Sequence, residues 1–167
     1  MIEKKEIEKL INTKKLLIFD FDGVIADSVD IKTEAFGELY SNYGEKTVHA
    51  VKLFHEQNGG VSRFEKIHYF NKVLLKNKKI EGTEEFFAQR FSEIVYKRVV
   101  ECPEIVGSSA FIKLHSSLNK VLTINSATPT NELRNILKAR NLESYFKYAL
   151  GSPQNKTANI VGILKDT

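Results

Sequence analysis

A chain of 167 residues with 42% hydrophobic and 28% charged residues has the length for one ordinary domain, or a small core carrying an insertion, and composition argues against disorder. Its charged N-terminal stretch MIEKKEIEKL has no apolar run of signal-peptide length. The longest aliphatic or aromatic run, Leu16 to Phe19, is too short to span a bilayer, and the single cysteine, Cys102, excludes an internal disulfide. The net charge of +4 comes from twenty lysines and five arginines scattered without a dense basic run or a zinc-finger or RNA-binding signature, so no nucleic acid and no membrane is expected as partner. The reading is a cytoplasmic protein in a reducing compartment.

Residues 2–12 predict a short amphipathic helix with Ile7, Leu10 and Ile11 on one face. Lys15 to Asp20 reads as a buried strand, an apolar run ending in polar residues and Gly23. From Ser28 to about Ser117 the pattern is helical. Ile31, Ala35 and Leu39 recur every four residues beside a stripe of Phe36 and Tyr40, and Phe87, Phe91, Ile94 and Val95 keep the same period behind an N-cap at Thr83. A second strand is expected at Val121 to Ile124, with Ser126 to Pro129 as the turn out of it and Pro129 opening the next helix. Tyr148 to Leu150 is the third strand, and a last helix starts near Asn155. Strands alternating with helices imply an α/β fold, a parallel Rossmann-like sheet. Residues 1–27 and 109–167 would form its discontinuous core, and residues 28–108 an inserted helical lobe.

Glutamates are spread along the chain, but four of the five aspartates (Asp20, Asp22, Asp27 and Asp30) fall within eleven residues, which marks a site rather than a solvated face. In parallel sheets, ligands bind at the carboxyl ends of the strands. The first strand delivers Asp20 and Asp22 there, the second Ser126, and the turn after the third leads to Lys156. In an extended chain residues i and i+2 share a side, so both aspartates can face one pocket, and Gly23 allows a sharp turn with close approach to a ligand. These residue types match phosphoryl transfer. One carboxylate attacks phosphorus, a second moves the proton, and a hydroxyl, a lysine and a divalent cation manage the charge.

FDFDGVIADS (residues 19–28), NSATP (125–129) and GSPQNK (151–156) resemble, in order, the first three motifs of the haloacid dehalogenase-like superfamily, in its phosphoglycolate phosphatase and β-phosphoglucomutase branch. The helical segment between the first two motifs is similar to that family's helical cap. The resemblance implies Asp20 as nucleophile and Asp22 as acid/base, with Ser126, Ala127, Lys156 and Gly23 around the phosphate. It also implies Mg2+ held by Asp20 and the Asp22 backbone carbonyl, and a small phosphorylated metabolite as substrate. Gly59-Gly60-Val61-Ser62-Arg63 resembles the cap loop of β-phosphoglucomutase-like proteins, which implies that Gly60 and Arg63 meet the far end of the substrate.

An acidic fourth motif of the GDxxxD kind is not found: after Glu143 the only acidic residue is Asp166. The last strands of the family's core are therefore expected to be missing, which would leave the first strand as an open sheet edge prone to self-association. A phosphomutase, or a phosphate-binding module without turnover, are the alternative readings. A phospho-accepting receiver domain is disfavoured by the long helical insertion and by the lack of aspartate between residues 30 and 166. His49, His55, His68 and His115 share no metal-ligand spacing and read as structural or surface residues, and Cys102 reads as packing near the return to the core.

Overall fold

The computed structural model describes residues 4–167. Helix α1 (Lys4–Thr13) leads into strand β1 (Leu16–Phe19). A run of helices follows: α2 (Val29–Leu39), α3 (Glu45–Gln57), α4 (Arg63–Tyr69, continued by a wider π turn over Phe70–Leu74), α5 (Glu84–Glu101) and α6 (Ser108–Ser117). The chain then alternates through β2 (Val121–Pro129), α7 (Thr130–Ala139), β3 (Tyr148–Ser152) and α8 (Lys156–Lys165). All three strands are parallel, in the order β1-β2-β3, with Phe19 opposite Ile124 and Asn125 opposite Leu150. Their carboxyl ends therefore open on one side, and the polar residues that follow them meet there. Among the described residues no helix is long and apolar enough to cross a membrane.

Strand β2 runs further than its apolar stretch implies. Ser126 to Pro129 is not a free turn: Pro129 still pairs with Ser152, past an irregularity in register. Two local features allow it. The Ser126 hydroxyl accepts from the Thr128 N–H at 3.1 Å. Gly151 lets β3 approach closely, because a Cβ there would lie 1.9 Å from the Thr128 carbonyl oxygen. Pro129 accordingly stands one residue before α7, as its N-cap.

Helices α2, α3, α4 and α5 pack on one another around an aromatic cluster. Phe36 lies 4.1 Å from the Phe91 ring centroid and edge-on to Phe70, and Tyr40 stacks on Phe87. The inward row of α2 is shifted from the expected one. Ile31 and Leu39 are only half-buried, whereas Ala35, Phe36 and Tyr40 are buried in the cluster, and Lys32, one turn before Phe36, is buried with its Nζ on Asp22 and Thr128. A lysine thus rides on the buried face of the first helix after the aspartates. The chain returns to the sheet through Cys102, whose backbone carbonyl, with those of Val99 and Val100, accepts from Arg140, the residue just after α7. That guanidinium satisfies the last carbonyls of α5. On α1 the expected apolar face is left uncovered at Ile7 and Leu10.

Candidate active site

The turn after β1 is built around one carbonyl. Phe21 O accepts the N–H groups of Val24, Ile25 and Ala26, with the Phe21 side chain fully buried beneath. Gly23 takes a positive φ of 73°, and a Cβ there would press on Val29. This tight loop holds Asp20 and Asp22 with their carboxylates in one cavity of about 290 Å3. Gly23 itself is exposed and does not reach that cavity, and its N–H is spent on Ala26 O at 2.8 Å. In this structure the glycine serves the turn, whose closure takes up its amide.

Asp20 is the more open of the two aspartates, its side chain 38% exposed. One carboxylate oxygen accepts from the Phe21 N–H at 2.7 Å, the other from Lys156 Nζ at 2.5 Å. Lys156 is the first residue of α8. Asn155 caps that helix by accepting from Ala158 N, and Asn125 donates to the Lys156 carbonyl at 2.8 Å. Asn159 in turn donates to Asn125 and to the Gly151 carbonyl. Two buried amides, Asn125 and Asn159, thereby lock the start of α8 to the ends of β2 and β3. Sequence reading missed both. Their signal is an asparagine at the end of an apolar strand and another one turn into the last helix.

Asp22 is enclosed by donors. Ser28 Oγ lies at 2.7 Å, Lys32 Nζ at 2.6 Å, Thr128 Oγ1 at 3.2 Å and Ser126 Oγ at 3.5 Å, and Lys32 also donates to Thr128 Oγ1 at 2.7 Å. Burial pushes the Asp22 carboxyl up, but the Lys32 charge and the bonds from Lys32, Ser28 and Thr128 outweigh it, so the group is held below the usual carboxylate range. Ser126 is buried behind Asp22 and borders a small side cavity of about 70 Å3 rather than the main one, where Ala127 and Lys156 line both. Lys32 and Thr128 are further residues that sequence reading did not single out. The lysine's signal is its place on an otherwise apolar helical row.

The opposite wall is helical. Gly60, Val61 and Arg63 reach the cavity from the loop before α4, whose N-cap Ser62 accepts from Glu65 N. Arg63 is buried, lies over the Phe91 ring at 4.7 Å and is clamped: Glu132 of α7 takes it in a two-pronged pair at 2.5 and 2.9 Å, and Ser92 Oγ takes it at 2.5 Å. Arg63 is brought to the wall, but its guanidinium fork is spent on α5 and α7. Beside it, His55 and Lys66 form a buried pair with Lys66 Nζ at 2.8 Å from His55 Nδ1. Burial, then the Lys66 charge, pulls His55 down to about 3, and burial, then Lys32, pulls Lys66 down to about 8. His55 is thus a neutral acceptor, structural in the sense expected yet part of the cavity wall. His49 and His115 stand apart from this cavity, and exposed His68 pairs with Glu84.

The sequence model of haloacid dehalogenase-like hydrolases matches residues 17–159, and the chain belongs to that family. The resemblance of its three motifs is thereby borne out, as is the α/β Rossmann-like fold class. A comparison with curated proteins found no match. Among solved structures, a haloacid dehalogenase-like hydrolase of Bacteroides fragilis superposes with a TM-score of 0.68 at 14% identity, over 92% of this chain and 74% of that one. A Haemophilus somnus protein assigned as a phosphoglycolate phosphatase gives 0.66 at 14% identity, over 92% and 71%. A Thermotoga maritima protein assigned as a β-phosphoglucomutase gives 0.56 at 24% identity, over 85% and 63%. At these identities the likeness establishes the shared fold.

Proposed function

We propose that the chain is built for hydrolysis of a small phosphomonoester through an aspartyl-phosphate on Asp20. The observation that carries this reading is the convergence of Asp20, Asp22 and Lys156, from two separate strand ends, on one cavity of small-molecule size. In the first step an Asp20 carboxylate oxygen attacks phosphorus, the ester P–O bond breaks, and the leaving oxygen takes a proton through Asp22. In the second step water attacks the aspartyl-phosphate, its proton passes to Asp22, and Asp20 is regenerated as phosphate departs. Lys156 lies against Asp20 and offers charge to the phosphoryl oxygens. Lys32 holds Asp22 ionised in the free site; in the first step the pair gives up its shared proton to the leaving oxygen, and in the second the water's proton returns to the pair and restores it.

Among the described residues there is no group of three or more His, Cys, Asp or Glu placed to hold a metal, so a closed protein cage for a cation is not built here. The partly exposed Asp20 carboxylate and the Asp22 backbone carbonyl fit the open kind of magnesium site, in which phosphate oxygens and water complete the shell. Bound there, Mg2+ would neutralise charge on the phosphoryl oxygens. The helical segment 28–108 would act as the cap that closes the cavity to bulk water, with residues 1–27 and 109–167 as core. Among the described residues strand β1 pairs only with β2, and its other edge is the surface through which self-association would run.

Release of p-nitrophenol from p-nitrophenyl phosphate in magnesium buffer tests the reading, with Asp20→Asn beside the parent chain. Removing the nucleophile is expected to lower turnover by roughly 10^3-fold or more. Equal turnover by both proteins overturns the role of Asp20.

A further inference from the structure

Two apolar surfaces lie away from the cavity, at opposite ends of strand β1. Helix α1 shows Ile7 and Leu10 to solvent, 43% and 56% exposed. Its carboxyl end is nonetheless fixed. Lys120, just ahead of β2, donates to the Ile11, Asn12 and Lys14 carbonyls at 3.0, 3.1 and 2.5 Å, which pins α1 at the amino end of the sheet. The second surface is a groove of about 240 Å3 between the carboxyl end of β1 and the start of α6, walled by Phe19, Ile25, Val106 and Phe111. Val106 is fully exposed. Ser108 also borders the groove, but its hydroxyl donates to the Ile25 carbonyl at 3.2 Å, which leaves an apolar seat rather than a site that orients a small polar ligand. Between the two surfaces runs the open edge of β1, whose residues Leu16–Phe19 include no lysine or proline to guard it.

We propose that one occupant covers both surfaces, a second copy of this chain, in a closed two-fold dimer in which α1 of each copy seats on the groove of the other. A two-fold axis through the middle of β1 pairs the two edges antiparallel. Antiparallel pairing brings the amino end of one β1, where α1 is pinned, beside the carboxyl end of the other, where the groove opens. The lengths agree: the ten residues of α1 span roughly 15 Å and the four of β1 roughly 13 Å, so the helix is long enough to cover the neighbouring strand end. Charge favours the same arrangement. Lys9, Lys14 and Lys15 are exposed around the carboxyl end of α1, whereas Asp27 and Glu104 are exposed next to Ile25 and Ile105 at the groove. Parallel edges would instead set lysine end against lysine end. Pairing through this face uses up the β1 edge of both copies and therefore stops at two. The dimer is independent of the chemistry proposed for Asp20.

Sedimentation equilibrium of the full chain tests it, with the parent expected to be a dimer at micromolar concentration. Leu10→Glu and Val106→Glu each put a charge into the joint and should weaken dimerisation by roughly tenfold or more. Both side chains are exposed in the single copy, so circular dichroism of the two variants should match the parent. Leu10→Cys combined with Val106→Cys supplies the specific readout. Within one chain these positions flank a strand roughly 13 Å long, too far apart for a disulfide, so oxidation should join two copies into a covalent dimer that either single cysteine variant forms far less. A monomeric parent overturns the proposal. So does a dimer that survives both glutamates, which would run through another face. Absence of the cross-link in the double cysteine variant, or an assembly that grows past two copies, overturns it as well.

Discussion

The two walls of the cavity solve the same electrostatic problem in opposite ways. On the strand side each charge is met by a partner delivered from a different element: Asp20 by Lys156 at the start of α8, Asp22 by Lys32 on α2 and Thr128 on β2. On the helical side one cation, Arg63, is fully paired by Glu132, and a turn later another, Lys66, has only a neutral imidazole. The strand side is thus paired charge to charge, and the helical side carries an ammonium whose direct partner is a neutral ring. Paired groups hold geometry, while an unpaired buried charge costs stability.

Breaking the paired half of the helical wall should have the largest effect on stability. Among the described residues Glu132 is the one carboxylate paired with Arg63, and it also accepts from Ser92 at 2.6 Å. Glu132→Ala leaves the guanidinium buried and uncompensated, a loss of about 3–5 kcal/mol. For a chain of this size that corresponds to a fall in Tm of roughly 10 °C. The double variant Arg63→Met, Glu132→Leu removes both charges and should recover most of the loss. Thermal unfolding of the three proteins checks this, and a single variant no less stable than the parent would show that the pair does not tie α4 to α7.

The unpaired half should respond with the opposite sign. Lys66 has a folded pKa of about 8 against an ordinary value of 10.5, so between those values the unfolded chain binds more protons and stability rises with pH. Lys66→Met removes a buried charge rather than a partner. It should stabilise the protein at pH 7 by about 1–3 kcal/mol and flatten the rise between pH 8 and 10.5. His55 works at the acid end. Its folded value of about 3 lies below the ordinary 6.5, so the protein loses stability as pH falls from about 6.5 towards 3. Part of that depression comes from Lys66, and the acid loss should be smaller in the variant. Urea midpoints at pH 5, 7 and 10 measure all three, and unchanged midpoints at pH 7 and 10 would mean that Lys66 is paired in solution.

The same contrast explains what was legible in the sequence. Asp20, Asp22, Ser126 and Lys156 stand at places set by strand ends, and a strand end announces itself by an apolar run that stops. The structure brings Asp20, Asp22 and Lys156 to one cavity, with Ser126 just behind. That the Gly23 amide is taken up inside the turn depends on three-dimensional closure of the Phe21 loop, which no local pattern announces. On the helical side, position in a helix gives a row but not a neighbour. Lys32 and Lys66 look like any of twenty lysines until α2, α3 and α4 pack and bury them. Arg63 was singled out by its loop, but its partner Glu132 lies 69 residues further along the chain, and no local pattern links them.

A smaller perturbation separates capping from the site itself. Asn155 caps α8 and Thr83 caps α5, each side chain accepting one N–H of the first turn. Replacing either with alanine should cost about 1 kcal/mol, because the same kind of orphan donor is exposed at both ends. The two losses should then diverge in reach. Asn155 directly precedes Lys156, whose carbonyl is held by Asn125 and whose ammonium lies on Asp20, so fraying there loosens one charged end of the cavity. Thr83 lines no part of it. Ethylphosphonate binding should weaken in Asn155→Ala and hold in Thr83→Ala at matched loss of stability, with amide exchange at Ala158 and Phe86 reporting the two frayed turns. Equal weakening in both would mean that global stability, rather than the anchoring of Lys156 at the end of β3, sets phosphonate affinity.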